Sequence, residues 1–161
     1  MPFELRDHTA DVAVEATAPT LSDLFASVAD GFTAASCEHL PDVGDRFELT
    51  VSAESRDALL FDYLDRLVYE RDVRGVLPAA HDCAVDVPDV TGGDATGTTP
   101  ADGGVTDRMG VDSDEAWTVT ASARGVPLSA VAAREIKAVT YSEMTVEERA
   151  DGWYAYVVFD V

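Results

Sequence analysis

The 161-residue sequence has no asparagine, no glutamine and one lysine, Lys137, and its 11 basic side chains stand against 31 acidic ones. A formal charge of -20 excludes direct docking on a phosphate backbone as the main activity. Duplex and single-strand binding both draw their affinity from cationic side chains that displace counterions. Cysteine is scarce too: Cys37 and Cys83 form no CxxC pair and allow one bridge at most, so they read as reduced, buried thiols rather than a metal-thiolate centre. No stretch approaches the ~20 apolar residues of a membrane span. Met1-Pro2-Phe3-Glu4 lacks a basic segment leading into an apolar run, so the expected location is the cytoplasm, away from any membrane. A nucleotide fold would place glycines between its first strand and first helix, yet that junction reads Ala16-Thr17-Ala18-Pro19-Thr20. Serine-hydrolase elbows, HExxH and kinase signatures are missing, and His8, His39 and His81 are scattered. These absences point away from an enzyme.

What is present is a real core. Hydrophobic residues make up 47% of the chain, more than an acidic disordered protein carries. The length suits one domain spanning 1–161. Heavy use of Ala, Val, Asp and Thr without amides reads as adaptation to molar salt, the habit of a halophilic archaeon. At 1 M ionic strength the Debye length is roughly 3 Å, so the carboxylates repel one another little while keeping the surface hydrated.

Alternation over Asp11 to Ala16 predicts a strand. Thr20-x-x-Asp23 is a capping-box pattern, and Leu21, Leu24, Phe25, Val28 and Phe32 follow at helical spacing. Phe47, Leu49 and Val51 alternate in another strand, and Ser55 caps a second helix with Leu60, Tyr63, Leu64, Leu67 and Val68 on one face and Gly75 as its stop. Strands are expected at 80–87, 116–123, 136–145 and 153–160, the last two joined by a turn through Asp151-Gly152. Residues 89–115 are rich in Gly, Thr and Asp and read as a mobile acidic insertion into a hairpin. The expected fold is α+β, a two-layer sandwich with one mixed sheet of about six strands and two helices on one face.

The chemistry is concentrated at the two ends. If the first and last of these strands meet at one rim, Asp11, Asp160 and the terminal carboxylate of Val161 would present oxygen ligands to one hard divalent cation. Calcium suits such donors best, with magnesium or manganese as alternatives. The competing reading is a set of hydrated surface carboxylates, common in so acidic a chain.

His8-Thr9-Ala10-Asp11-Val12, the helix Leu59-Leu60-Phe61-Asp62-Tyr63-Leu64, the run from Glu135 through Lys137-Ala138-Val139-Thr140 to Tyr141, and the ending from Gly152-Trp153 to Asp160-Val161 occur in that order. Together they resemble the archease family over nearly the whole chain outside 89–115. The resemblance implies an accessory protein of the RtcB-type RNA ligase, which joins tRNA halves using GTP and a divalent metal. In that family the helper promotes ligase guanylylation and multiple turnover, and it is not itself the ligase. A chaperone-like role toward a tRNA methyltransferase is the alternative that the resemblance offers. The family's metal positions fall on Asp11, Asp160 and Val161. Lys137 falls on the family's strand lysine, either orienting carboxylates or contacting phosphate, or else merely covering apolar surface with its stem. His8 is either a partner of Asp11 or a residue shaping entry to the strand. Ser142 stands where many relatives carry His.

Overall fold

Hydroxyl side chains begin both helices, as the sequence suggests. A computed structural model describes the backbone of residues 3–7 and all atoms of 11–88 and 116–161; the expected insertion at 89–115 and the site residue His8 lie outside the described residues. Thr20 accepts a hydrogen bond from the Asp23 amide at 3.1 Å and opens helix α1 (Leu21–Ser36). Ser55 does the same for the Ala58 amide at 3.1 Å and opens α2 (Arg56–Arg74). Gly75 ends α2 in the left-handed conformation, φ 68°, where a residue without Cβ is unstrained.

The strands are β1 (Phe3–Asp7), β2 (Asp11–Ala18), β3 (Asp45–Ala53), β4 (Val76–Asp86), β5 (Trp117–Pro127), β6 (Ala138–Arg149) and β7 (Gly152–Asp160). The α+β class holds, but the strands ladder differently from the single mixed sheet expected. Among the described residues they form two sheets, β1-β2-β7-β6 and β3-β5-β4, and every pairing is antiparallel. β3 and β4, each antiparallel to β5, run parallel to one another and are joined by a crossover through α2, and each sheet turns one apolar face inward. Helix α1 packs on β2 of the first sheet and β4 of the second, while α2 packs on β6 and β3. The helix pair thus serves both sheets.

The core follows the helical periodicity read from the sequence. Leu24, Phe25, Val28 and Phe32 of α1 and Leu60, Tyr63, Leu64 and Leu67 of α2 are wholly buried. They meet Val14, Val157 and Phe159 of the first sheet and Leu77 and Val119 of the second. Phe32 lies against Phe159 with ring centroids 5.6 Å apart, which fastens α1 to the last strand. Burying side chains of this size contributes roughly 1.5–3 kcal/mol each relative to exposure, so the contact anchors β7 against α1. Glu70 is buried in α2 between Arg66 and Arg74. Burial works to raise its carboxyl, but the two guanidinium groups outweigh it and hold the group below its ordinary value.

Candidate functional site

β2 and β7 pair along their full lengths, from Ala18 opposite Trp153 to Asp11 opposite Asp160. Val12, Val14 and Ala16 point into the core, so the alternating pleat turns Asp11, Ala13 and Glu15 to the other face. By the same parity Phe159 is inside and Asp160 outside. Residues directly opposite in an antiparallel pair share a face with Cβ atoms roughly 5 Å apart. Asp11 and Asp160 are therefore neighbours at the end of the ladder, Asp11 half-buried and Asp160 exposed.

Val161 and the backbone of Lys137 lie at the same rim. Val161 follows Asp160 directly, and Ala138 of β6 lies opposite Asp160 from the other side. The Lys137 amide donates to the Asp160 carbonyl at 2.8 Å, which extends the β6 ladder by one bond and sets the backbone of Lys137 beside the carboxylates. The lysine side chain is exposed. Like charges directly across a strand pair destabilise it; a divalent cation between them reverses that sign. The donor set, two carboxylates and the main-chain oxygens of Val161, is all oxygen and fits a hard cation such as calcium or magnesium. Among the described residues no three His, Cys, Asp or Glu side chains group as metal ligands, so a cation held here would need main-chain oxygens or water as further ligands.

Beside the rim, a cleft of about 620 Å³ opens at the C-terminal end of α1, bordered by Val12, Cys37, Glu38, His39 and Arg134. The Arg134 amide donates to the Ser36 carbonyl at 2.7 Å, holding the segment before β6 against the helix end. Sequence spacing gave no sign that His39 and Arg134 would be neighbours of Val12, because the contact joins segments almost a hundred residues apart.

A second polar group, also missed in sequence, sits between α1, α2 and β4. β4 bulges between Ala79 and Asp82, with Ala80 in the left-handed region at φ 52°, and this turns the ring of His81 inward. His81 Nε2 lies 2.8 Å from Thr33 Oγ1, while Nδ1 is shielded from solvent without a protein partner. Thr33 has one hydroxyl proton and two carbonyl acceptors, Pro78 at 2.7 Å and Ala29 at 3.1 Å. The proton on Nε2 therefore donates to Thr33. Burial holds the imidazole down at about 3, with the Arg46 charge adding to the effect and a hydrogen bond to the Pro78 backbone opposing it. Arg46 reaches across β5 to the Ala80 carbonyl and Ser122 Oγ, both at 2.8 Å, and so clamps the bulge. Cys83 donates to the Tyr63 hydroxyl at 3.2 Å, and burial pushes its thiol up to about 12. Both cysteines are free, Cys37 buried and Cys83 half-buried. A thiol so rarely ionised is a poor nucleophile.

Residues 3–161 match the family model of the Archease protein family. The archease of Methanopyrus kandleri is 28% identical over 166 residues, covering 100% of both chains. That of Methanosarcina barkeri is 27% identical over 160 residues, covering 99% of this chain and 95% of the relative. Among solved structures, the solution structure of Methanobacterium thermoautotrophicum protein 1598 has a TM-score of 0.73 at 21% identity, covering 99% of each chain. The crystal structure of a Thermotoga maritima archease, described as a possible chaperone, has a TM-score of 0.56 at 18% identity, covering 98% of this chain and 96% of that one.

Proposed function

Since the chain belongs to the archease family, we propose that it is a non-enzymatic activator of an RtcB-type RNA ligase that presents a divalent cation on an acidic rim. The observation that carries this reading is the register of β2 against β7, with Asp11 directly opposite Asp160 and the backbone of Lys137 bonded to Asp160. A divalent cation held there would supply a positive centre able to attract oxygen groups of a partner. Asp11 and Asp160 would hold it, Val161 would add main-chain oxygen, and Lys137 would stand beside them as a compact cationic donor for phosphate or carboxylate. An effector of this kind acts only by binding one state of its partner better than another, so it favours the ligase state competent for nucleotide transfer.

The test is multiple-turnover RNA ligation by the cognate ligase with GTP, with and without this protein. Ligase guanylylation and turnover rise with wild type; folded Asp11→Ala and Asp160→Asn variants lose most of that stimulation. Full stimulation by both variants would remove the rim from the mechanism. The chaperone-like alternative toward a tRNA methyltransferase draws on a different feature, the exposed Tyr69 and Val73 one turn apart on α2. That pair is small beside the patch a holding chaperone uses, and stimulation of the ligase separates the two readings.

A further inference from the structure

Aromatic rings on this surface carry arginines of their own chain. Arg56 lies over Trp153 at 5.3 Å, Arg66 over Tyr69 at 5.9 Å, Arg74 over Phe47 at 4.3 Å and Arg149 over Tyr154 at 3.8 Å. A guanidinium settles on a ring face because the quadrupole is negative there, and its edge stays free to donate to carboxylates. Two aromatic side chains are exposed among the described residues, Tyr69 and Tyr141. Tyr69 has its arginine; among the described residues Tyr141 has none.

Tyr141 is placed there by a deliberate irregularity. Thr140 lies opposite Val158 and Thr145 opposite Tyr156, so residues 141–144 of β6 face only one residue of β7 and bulge from the ladder. Tyr141 is 52% exposed and rests on half-buried Phe61 of α2, with ring centroids 5.2 Å apart and planes tilted by 54°. Exposed carboxylates neighbour the pair along the chain: Asp62 next to Phe61 and Asp65 one helical turn on in α2, and Glu143 two residues beyond Tyr141 in the bulge. The carboxyl of Asp62 is raised, first by loss of solvent and then by the charge of Asp65. The α2 arginines on either side are committed elsewhere, Arg56 to Asp57 and the Val146 carbonyl and Arg66 to Glu70. Ring face and carboxylates are present, and among the described residues no guanidinium completes the arrangement as it does at the other rings.

We propose that the Phe61–Tyr141 pair with Asp62, Asp65 and Glu143 is a docking point for an arginine on the surface of a protein partner. The inference rests on the accessory role proposed above and adds a second contact, joined to the rim by the three residues of β6 from Ala138 to Thr140. A second copy of this chain, with 31 acidic against 11 basic side chains, would set carboxylate against carboxylate at contact distance, where salt screens least, and nucleic acid would set phosphate there. Lysine is a poorer occupant, because its ammonium cannot lie flat on the ring while donating in the ring plane.

Two titrations in molar KCl test this. In the first, amide resonances of the full chain are followed by NMR as an acetylated Gly-Arg-Gly-Arg-Gly amide or its lysine counterpart is added. The arginine peptide shifts residues 61–65 and 141–144 several-fold more than the lysine peptide, and Tyr141→Ala removes the response. Equal responses to the two peptides, shifts centred elsewhere, or an unchanged response in the variant would overturn the site. In the second, the cognate ligase binds Tyr141→Ala about tenfold more weakly than wild type, the order expected of a hot-spot ring, while Tyr141→Phe stays near wild type. Unchanged binding of the alanine variant overturns the docking point and leaves the activator reading standing. No ligase binding by wild type overturns the activator reading, and the peptide titration then decides the docking point alone. Sedimentation showing a wild-type dimer that Tyr141→Ala dissociates would assign the surface to self-association instead.

Discussion

At the scale of single residues, the sharpest pH response belongs to His81. Its imidazole is held at about 3 in the fold against the ordinary value of 6.5, so the unfolded chain binds the extra proton first as pH falls. Full stability is present above 6.5 and declines below it, at up to about 1.4 kcal/mol per pH unit, until the folded ring itself titrates. Asp30, whose side chain faces the His81 amide, works in the opposite sense. Burial raises its carboxyl, so its contribution is present at low pH and is lost as pH rises through the folded value. The difference between wild type and His81→Gln isolates the imidazole. Urea melts at stepped pH should show wild type losing stability from pH 6.5 to 5 while the variant stays flatter; parallel slopes would mean the ring is protonated without cost. Nothing in the sequence announced this group, because a histidine after Ala79-Ala80 in a strand reads as solvent-facing until the bulge turns it.

Secondary elements were the most legible level. Thr20, Ser55 and Gly75 each do what capping chemistry dictates, and the apolar spacing of both helices marks the side chains that are buried. Six strands were readable from alternation, but β1 was not, and neither was the division into two sheets, since pairing partners depend on contacts far apart in sequence. The β6–β7 turn shows how an element can govern a site at a distance. Gly152 has φ 147°, and a Cβ there would come within 2.5 Å of the Ala18 carbonyl. Gly152→Ala is expected to cost roughly 1–3 kcal/mol through backbone strain and to loosen the alignment that brings Asp160 beside Asp11. Thermal melts and heteronuclear spectra of the variant check both effects. A melting temperature equal to wild type would show that the turn yields without strain.

For the whole molecule, 31 acidic against 11 basic side chains make self-repulsion the term most open to the solvent. Raising KCl from about 0.1 M to 1 M shortens the Debye length from roughly 10 Å to 3 Å. The melting temperature should climb by several degrees over that range in calorimetry, and a flat profile would show that the carboxylates are already too dispersed to matter. The acidic residues of the rim were legible in the motifs at the two ends of the chain, but their register was not, because it joins strands distant in sequence; the Phe61–Tyr141 surface was not, because a bulge has no signature in residue type. The first sheet also carries a consequence for biosynthesis. Its interior strands are β2 and β7, among the earliest and latest parts of the described chain to leave the ribosome. A nascent polypeptide that has reached β6 can already assemble β3-β5-β4, yet it has nothing to lay between β2 and β6. Closure of that sheet therefore waits for the last of these strands, which must close a long loop against β2.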